Sequence, residues 1–306
     1  MSKINTFFKL LKTPIKLIPP LASKGLLNWM TDKSLLKLMY KSRMGKSLDL
    51  DNPKSYNEKL QWLKLYDRNP MYTKLVDKYE VRSHIAETIG KEYLIPLYGV
   101  WENPDEIDFD SLPDQFVLKC THDSGSVIIC DDKSKLDKNR VKKKLKKALR
   151  FNFYYHGREW PYKNVKPRII AEKYMLNAEG SAELTDYKWF CFDGIAKAMF
   201  IATDRQTPRE ETKFDFFDME FRHLPFTNGH PNATRVIEKP ASFALMRELA
   251  ERVSQDIPHV RVDFYEADGQ VYFGEMTFYH WNGMTPFQPE EWDNIFGSWI
   301  QLSEKR

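Results

Sequence analysis

The stretch Arg261-Val-Asp-Phe-Tyr265, followed after Asp268-Gly269 by Val271-Tyr-Phe-Gly-Glu-Met-Thr277, decides the fold of this chain. Apolar and polar residues alternate in both segments, which predicts two half-buried β-strands. An Asp-Gly pair between two such runs predicts a hairpin. On the first strand, Arg261, Asp263 and Tyr265 share one face because side chains alternate across a strand.

The length of the predicted turn determines which residues face each other. A loop of three residues places Asp263 directly opposite Glu275, with β-carbons roughly 4.5–5.5 Å apart, whereas a strict two-residue turn sends them to opposite faces. We therefore expect a bulged turn. Facing carboxylates repel unless a cation lies between them, and Mg²⁺ carrying nucleotide phosphates is suited to that position. Arg261 could then hold a transferring phosphoryl group, although an ordinary solvated hairpin face has the same spacing.

Composition indicates a globular protein with a basic start. The 306 residues are 42% hydrophobic, enough for one large domain or two to three small ones. Residues 1–50 carry ten Lys or Arg against only Asp32 and Asp49, within a net charge of +4. No run approaches the ~18 apolar residues of a membrane span. The three cysteines lack metal-ligand spacing and are odd in number, which predicts a reducing cytoplasm and no zinc site.

The basic segment 1–50 mixes lysines into short apolar runs that are interrupted by prolines. Such a segment either lies on an anionic surface, as a peripheral contact with the inner membrane or with a polyanionic substrate, or packs on its own domain.

Hydrophobic periodicity predicts the order of the elements. Helices are expected within residues 25–50 and 55–90, and over 138–150, 241–254 and 292–299; strands are expected over 116–120, 127–130, 168–175, 186–192 and 196–201. Residues 204–240 have no clear period and are expected to be loops that recognise the substrate. The run of lysines from Lys142 to Lys147 is interpreted as the solvated face of a helix, with no nucleic-acid partner.

A strand that ends in Lys119 precedes the small-residue loop Thr121-His-Asp-Ser-Gly-Ser126. Such a loop can surround phosphates with backbone N–H groups while the lysine supplies a positive charge. The loop has one glycine and no Walker pattern, so a plain surface hairpin remains open on this motif alone.

Taken in chain order, these motifs resemble the ATP-grasp superfamily. The hairpin is similar to the Arg-Val-Asp…Asp-Gly…Glu run of D-alanine–D-alanine ligases. The resemblance implies an α+β ATP-grasp fold in which two subdomains hold ATP between them, with Mg²⁺. It divides the chain into a basic helical segment (1–50), a mainly helical lead-in (51–115), a small subdomain with the phosphate loop (116–175) and a large subdomain with the metal-binding hairpin (176–306).

The resemblance also implies roles for individual residues. Arg261 and Lys188 are the expected catalytic cations, and Asp263 and Glu275 the expected Mg²⁺ ligands. The nucleotide contacts implied are Lys78, Lys119, the loop residues Thr121, Asp123, Ser124, Gly125 and Ser126, the adenine hinge Glu172, Lys173, Tyr174 and Met175, and either Glu179 or Glu183 at the ribose. Many family members have Asn two residues after the second carboxylate. This chain has Thr277 there, so either its hydroxyl or Asn282 completes the metal site.

A wider pattern, which includes Lys59 to Asp67, Asp77 to Arg82 and Gly274-Glu-Met-Thr277, is similar to the TupA-like branch over roughly residues 50–285. ATP-grasp ligases phosphorylate a carboxylate and then let an amine attack it. TupA-like members are associated with surface polysaccharides. The implied partners are therefore an amino acid and an acidic glycan, or its nucleotide-sugar or lipid-linked precursor, at the cytoplasmic side.

Other interpretations stay open. Asp108-Phe-Asp110 has the form of a glycosyltransferase metal motif, but it lies in a stretch rich in Pro and Asp that is typical of a loop. A non-catalytic glycan adaptor with a degenerate nucleotide site is the third interpretation.

The residues Phe278 to Trp281 could shape the acceptor site, where a sugar ring stacks on Trp or Tyr and His280 receives the proton of an attacking amine. Core packing explains the same residues.

Overall fold

The computed structural model describes residues 14–176, 184–205, 211–267 and 269–303. The helices of eight residues or more in these ranges are α1 (Asp32–Met44), α2 (Tyr56–Tyr66), α3 (Val81–Thr88), α4 (Lys138–Leu149), α5 (Phe243–Val253) and α6 (Glu291–Trp299). Shorter α-helical turns span Ile18–Ser23, Met71–Val76 and Tyr154–Gly157. The helices predicted from periodicity are confirmed, with ends shifted by one to a few residues.

The strands form two main antiparallel sheets. In chain order they are β1 (Leu97–Trp101), β2 (Phe116–Cys120), β3 (Ile128–Cys130), β4 (Ile169–Lys173), β5 (Asp186–Phe192), β6 (Ile195–Thr203), β7 (Lys213–Phe217), β8 (Thr227–Asn228), β9 (Val260–Ala267), β10 (Gln270–Thr277) and β11 (Phe287–Gln288). The smaller sheet has the order β1-β4-β2-β3, and the larger one β10-β9-β5-β6-β7. Strand β1 belongs to the smaller sheet, so that sheet draws on the chain before residue 116.

Each sheet has its own hydrophobic core. The smaller sheet packs against α4, whose Val141 and Leu145 are buried while its lysines face outward. The larger sheet is covered by α2, α5 and α6 in one continuous core that contains the fully buried Trp189, Phe200 and Phe264. The order of elements and the two sheets agree with the α+β ATP-grasp fold expected from the motifs.

The described part of the basic segment packs on the main core. Leu35, Leu36, Met39 and Tyr40 of α1 are buried in it, and α1 begins at the N-cap Thr31 and ends at Gly45, which has the left-handed φ of 73°. Just before α1, Trp29 is 80% exposed. Among the described residues, no helix is long and apolar enough to cross a membrane. Peripheral membrane contact stays a prediction.

Candidate functional site

The hairpin β9–β10 brings Asp263 and Glu275 opposite each other, as predicted. The expected cause was wrong. Ala267 pairs with Gln270 across a two-residue connection, and the register shifts later, between Phe273 and Glu275. The extra residue is Gly274, where a β-carbon would approach the carbonyl oxygen of Asp263 to 3.1 Å. A β-bulge at a glycine, and not a bulged turn, therefore sets the facing pair.

Asp263 lies at the centre of a buried charge cluster. Arg261 donates to both of its oxygens at 2.7 Å, and Lys188 Nζ reaches Oδ2 at 2.5 Å. Burial opposes the charge on Asp263, but Arg261 and then Lys188 outweigh it, so the pKa of this carboxyl is lowered. Burial also lowers the pKa of Lys188, because the loss of hydration together with the neighbouring charge of Arg261 outweighs the attraction of Asp263. The two predicted catalytic cations thus share one carboxylate.

Glu275 is the accessible member of the pair. Its side chain is 39% exposed, whereas that of Asp263 is 0% exposed. Thr277 Oγ1 lies 3.4 Å from Glu275 Oε1 and accepts from Arg261 Nη2 at 3.0 Å. Of the two candidates for the third metal ligand, Thr277 is therefore the one beside the carboxylates.

The donor set fits a Mg²⁺ ion. Three hydrogen bonds occupy Asp263, which has about four lone-pair sites, and Glu275 keeps most of its own. Within residues 14–176, 184–205, 211–267 and 269–303, no three His, Cys, Asp or Glu side chains gather into a metal-binding group. Mg²⁺ is commonly held by one or two carboxylates together with substrate phosphates and water, so this pair suffices.

His280 supports Arg261. The guanidinium Nη1 donates to His280 Nδ1 at 2.7 Å, so the imidazole carries its proton on Nε2 and donates it to Asn228 Oδ1 at 3.1 Å. Burial, followed by the charge of Arg261, lowers the His280 pKa well below its ordinary value. A second proton would have to displace Arg261 from Nδ1. The expectation that His280 receives the amine proton does not fit this geometry, and we assign it to positioning Arg261.

Asn282 lies elsewhere. Its carbonyl oxygen accepts from Lys64 Nζ at 2.8 Å and its Oδ1 lies 3.4 Å from the same nitrogen. A β-carbon on Gly157 would fall within 1.6 Å of that Oδ1, which shows how closely the segments around Gly157 and Asn282 approach each other. Gln61 donates to the carbonyls of Asn282 and Gly283. Asn282 is thus held by α2 and not placed as a metal ligand.

The smaller sheet positions the predicted phosphate lysine. Lys119 Nζ forms an ion pair with Glu172 Oε2 at 2.8 Å, across the β2–β4 pair. Arg82 on α3 contacts the other oxygen of Glu172 at 3.3 Å and donates to the carbonyl of Ile95 at 2.9 Å. Glu172, expected at the adenine hinge, therefore lies between two cations, neither of which its sequence motif indicated as a partner.

The phosphate loop, residues 121–127, is organised by its own side chains. Ser126 Oγ donates to Asp123 Oδ1 at 2.6 Å and accepts from the N–H of Cys120. Lys78 Nζ donates to the carbonyl of Asp123 at 2.5 Å, which joins this predicted phosphate lysine to the loop. Thr121 is buried, whereas Ser124 and Gly125 form the exposed tip. The tip is the part that can approach a ligand.

Carboxylates from the hairpin and from the segments of the smaller sheet affect the pKa values of the same two tyrosines. Burial raises the pKa of Tyr265, and the charges of Glu275, Asp263 and Glu172 add to it. Burial likewise raises the pKa of Tyr162, helped by the carboxylates of Glu275 and Asp123. The charges of the hinge, the phosphate loop and the hairpin thus act on the region around these two tyrosines.

An apolar cluster lies beside that region. Met175 packs with Ile95 and Ala267, and Tyr265 and Tyr272 border them, so this residue of the predicted hinge is buried among apolar side chains. Lys173, exposed, ends β4, and the half-buried Tyr174 follows it. Glu179 and Glu183, the ribose candidates, lie outside the described residues.

Sequence reasoning missed two charged residues of the site. Asp186 is fully buried, with Lys188 Nζ at 3.5 Å and Arg205 against its Oδ2. Its signal was the i, i+2 spacing to Lys188, which puts both on one strand face. Arg82 was visible only as part of a longer pattern, because its partner Glu172 is 90 residues away in sequence.

The alternative metal motif lies in a loop. Asp108 Oδ1 accepts from the N–H of Asp110 at 3.0 Å, and Asp110 pairs with Lys138 at 2.8 Å. Phe109 between them is buried in the smaller core. This confirms the expected loop and leaves the two carboxylates engaged in local contacts.

Comparisons with known proteins agree with the motifs. A family model described as TupA-like ATPgrasp matches residues 58–301, whereas no curated protein matches the chain significantly.

Among solved structures, a D-alanine–D-alanine ligase from Bacillus anthracis complexed with ATP matches with 16% identity and a TM-score of 0.40, over 68% of this chain and 57% of that one. The ATP-grasp ligase PsnB, complexed with a phosphomimetic variant of its minimal precursor, Mg and ADP, matches with 11% identity and a TM-score of 0.42, over 84% of this chain and 65% of that one. This chain thus spans less than two thirds of the length of either, and the family match, which covers most of its residues, decides the assignment. The chain belongs to the TupA-like ATP-grasp family.

Proposed function

We propose that this protein is an ATP-dependent ligase that joins a carboxylate to an amine through an acyl phosphate. The observation that carries the proposal is the pair Asp263 and Glu275, which faces Arg261 and Lys188 and lies near the Lys119 sheet. Members of the ATP-grasp superfamily are ATP-dependent ligases, and the proximity of these carboxylates and cations supports the same chemistry for this chain.

The reaction has two steps. A carboxylate oxygen of the acceptor attacks the γ-phosphorus of ATP, the bond to the β-phosphate oxygen breaks, and ADP leaves. The amine nitrogen then attacks the carbonyl carbon of the acyl phosphate, phosphate leaves, and the nitrogen gives its proton to solvent. When bound, Mg²⁺ neutralises phosphate charge.

The chain's own residues supply position and charge. Arg261 is oriented by Asp263 on one side and by His280 on the other, so its guanidinium is fixed before any substrate arrives. Lys119 and Lys78 bring positive charge to the phosphate loop, and Glu172 and the carbonyl of Asp123 hold their side chains. These groups suit the stabilisation of phosphate oxygens.

The acceptor that we propose is a carboxylate of a surface polysaccharide or of its precursor, such as a uronic acid, and the amine is that of an amino acid. Support comes from the TupA-like family and from the basic residues that precede the family region. The modification would take place on the cytoplasmic side, before export.

Trapping of the acyl phosphate tests the proposal. Purified protein is incubated with ATP, Mg²⁺ and hydroxylamine against a panel of uronates, and the hydroxamate and ADP are measured. We expect hydroxamate that depends on both ATP and the uronate and is lost in Glu275→Gln. ADP formation without hydroxamate on any carboxylate contradicts the acyl phosphate.

The same assay separates the alternatives. A glycosyltransferase that uses Asp108 keeps its activity in Glu275→Gln and loses it in Asp108→Asn/Asp110→Asn, whereas the ligase shows the reverse. An adaptor forms neither ADP nor hydroxamate, and its ligand binding is insensitive to nucleotide.

A further inference from the structure

A cavity of about 680 Å³ lies next to the loop that follows the catalytic hairpin. Its lining comes from five parts of the chain: Pro19, Pro20 and Ser23; Met39 and Arg43; His156; Gly229 and His230; and Trp281, Asn282, Met284 and Thr285. The volume is in the range of small-molecule sites. The lining contains none of the residues assigned to the nucleotide, so this cavity is separate from the ATP site.

The charge of the cavity is positive. Arg43 is its one fully charged lining residue, and no carboxylate lines it. In the described part of the chain, Arg43 is exposed and forms no ion pair. Beneath the lining, the buried Lys64 contacts Asn282. The lining histidines add polar groups: burial lowers the pKa of both His156 and His230, so they are neutral donors and acceptors at pH 7.

An aromatic platform is fixed at the edge of the cavity. Trp281 is 41% exposed although its ring packs against Gly229 and lies 5.8 Å from the ring of His230. Trp281 and Asn282 both have a left-handed backbone, with φ of 50° and 58°. Such strain persists only where surrounding contacts enforce it, and here Lys64 and Gln61 hold the carbonyl of Asn282. A rigid, partly exposed indole is the surface on which a sugar ring stacks.

The cavity adjoins the catalytic cluster through one residue. His280 contacts Arg261 with its Nδ1, and the next residue, Trp281, enters the cavity lining. The residue that contacts Arg261 and the aromatic residue that lines the cavity are therefore consecutive in the chain. The opposite wall comes from the N-terminal helices, where Met39 and Arg43 are one turn apart on α1.

We propose that this cavity binds the sugar that carries the acceptor carboxylate, with Trp281 stacking on the ring and Arg43 pairing with an acidic group of the glycan. The inference rests on the proposed function for the reaction, and it makes residues 14–44, which lie outside the matched family region, a wall of the substrate site.

Direct binding tests this assignment without turnover. The full chain is titrated calorimetrically with trigalacturonate and with neutral maltotriose, using wild type, Arg43→Glu and Trp281→Ala. We expect wild type to prefer the acidic sugar, Arg43→Glu to weaken trigalacturonate binding at least tenfold, and Trp281→Ala to weaken binding of both sugars. Lys37→Glu, the same charge reversal at an exposed position of the same helix, is the matched control and should match wild type.

The outcomes separate this inference from the proposed function. Binding of a nonhydrolysable ATP analogue should be the same in all variants, which also shows that they are folded. Unchanged trigalacturonate affinity in Arg43→Glu and Trp281→Ala, or no trigalacturonate binding by wild type, overturns the sugar site. If sugar binding behaves as expected but no hydroxamate forms, the site stands and the ligase reaction fails.

Discussion

Asp263 and Glu275 face each other across the β9–β10 hairpin, yet one is fully buried and the other is open to solvent. Arg261 reaches both of them, at 2.7 Å and 3.5 Å. The inner carboxylate fixes two cations within the fold and keeps about one lone-pair site for a metal, whereas the outer one is the more accessible to a ligand. Although Asp263 and Glu275 are paired in the hairpin, they therefore have different roles.

The first prediction separates these tasks. Glu275→Gln should abolish ADP formation while changing the free energy of unfolding by no more than about 0.5 kcal/mol, as is usual for an exposed site. Asp263→Asn should abolish ADP formation and also lower the free energy of unfolding by about 3–5 kcal/mol, because it leaves buried Arg261 and Lys188 with only the more distant carboxylates of Glu275 and Asp186, each at 3.5 Å. Urea unfolding of the metal-free proteins measures the difference. Equal destabilisation by the two changes would refute it.

The second prediction concerns the nucleotide. Lys119→Met should weaken binding of a nonhydrolysable ATP analogue by about tenfold to a hundredfold, the range expected when a charged hydrogen bond of about 1.5–3 kcal/mol is lost. Glu172 retains Arg82, so the sheet should stay folded. Calorimetric titration measures the affinity. Lys143→Met, on the exposed face of α4, is the control, and an equal loss there would show a general charge effect.

The third prediction concerns the loop that carries Trp281. Lys64→Met removes the donor to the carbonyls of Gly157 and Asn282, which lie 2.9 and 2.8 Å from Nζ. It also removes the cation that opposes the burial of Glu159. We expect the free energy of unfolding to fall by about 3 kcal/mol, since buried acceptors lose their partner.

Urea unfolding tests this loss, with Lys74→Met at an exposed lysine as the control. Among the remaining folded molecules, the affinity for the nucleotide should hold while that for trigalacturonate falls. Wild-type stability of Lys64→Met would contradict a role for this side chain in holding the loop.

The fourth prediction is a pH dependence that comes from His259. Its Nδ1 donates to the carbonyl of Cys191 at 2.9 Å, and its Nε2 accepts from the hydroxyl of Tyr56 at 2.8 Å. Burial lowers the pKa of His259 to about 3. The unfolded chain, with a His pKa of about 6.5, binds the additional proton between these values, so the stability that this residue contributes is present above pH 6.5 and is lost as the pH falls towards 3.

His259→Asn tests it. The variant should be less stable than wild type at pH 7.5 by about 1–3 kcal/mol, because the buried hydroxyl of Tyr56 loses its acceptor. Its stability should then fall less steeply than that of wild type between pH 6.5 and 4.5. Urea unfolding at several pH values measures both slopes, and parallel curves would exclude His259 as the source.

The sequence was sufficient where local pattern and charge agree. Alternation in β9 predicted the face that Arg261 and Asp263 share, and the short apolar run before Lys119 predicted the strand β2. Amphipathic spacing also predicted α4, whose Val141 and Leu145 are buried. Each of these features depends on side chains within a few residues of one another.

The remainder depends on contacts between distant parts of the chain. The bulge at Gly274 could not be distinguished from a longer turn, because both give the same facing pair. The two roles of His280 and Asn282 were set by partners from other elements, Arg261 and Lys64. Cavity-lining Arg43 carried no motif at all, since only the folded chain brings α1 beside Trp281.

Because the bulge lies at Gly274 and not in the turn, the tip of the hairpin can be altered without changing the pairing of Asp263 with Glu275. Between the tip and the carboxylates, the pairs from Gln270–Ala267 to Phe273–Phe264 keep one register, and β9 is also fixed by its pairing with β5. Residues inserted between Ala267 and Gln270 would enlarge the connection without moving Asp263 past Glu275. A fluorescent reporter or an affinity tag could therefore be introduced at this tip, at a distance of several residue pairs from the charges on which we expect turnover to depend.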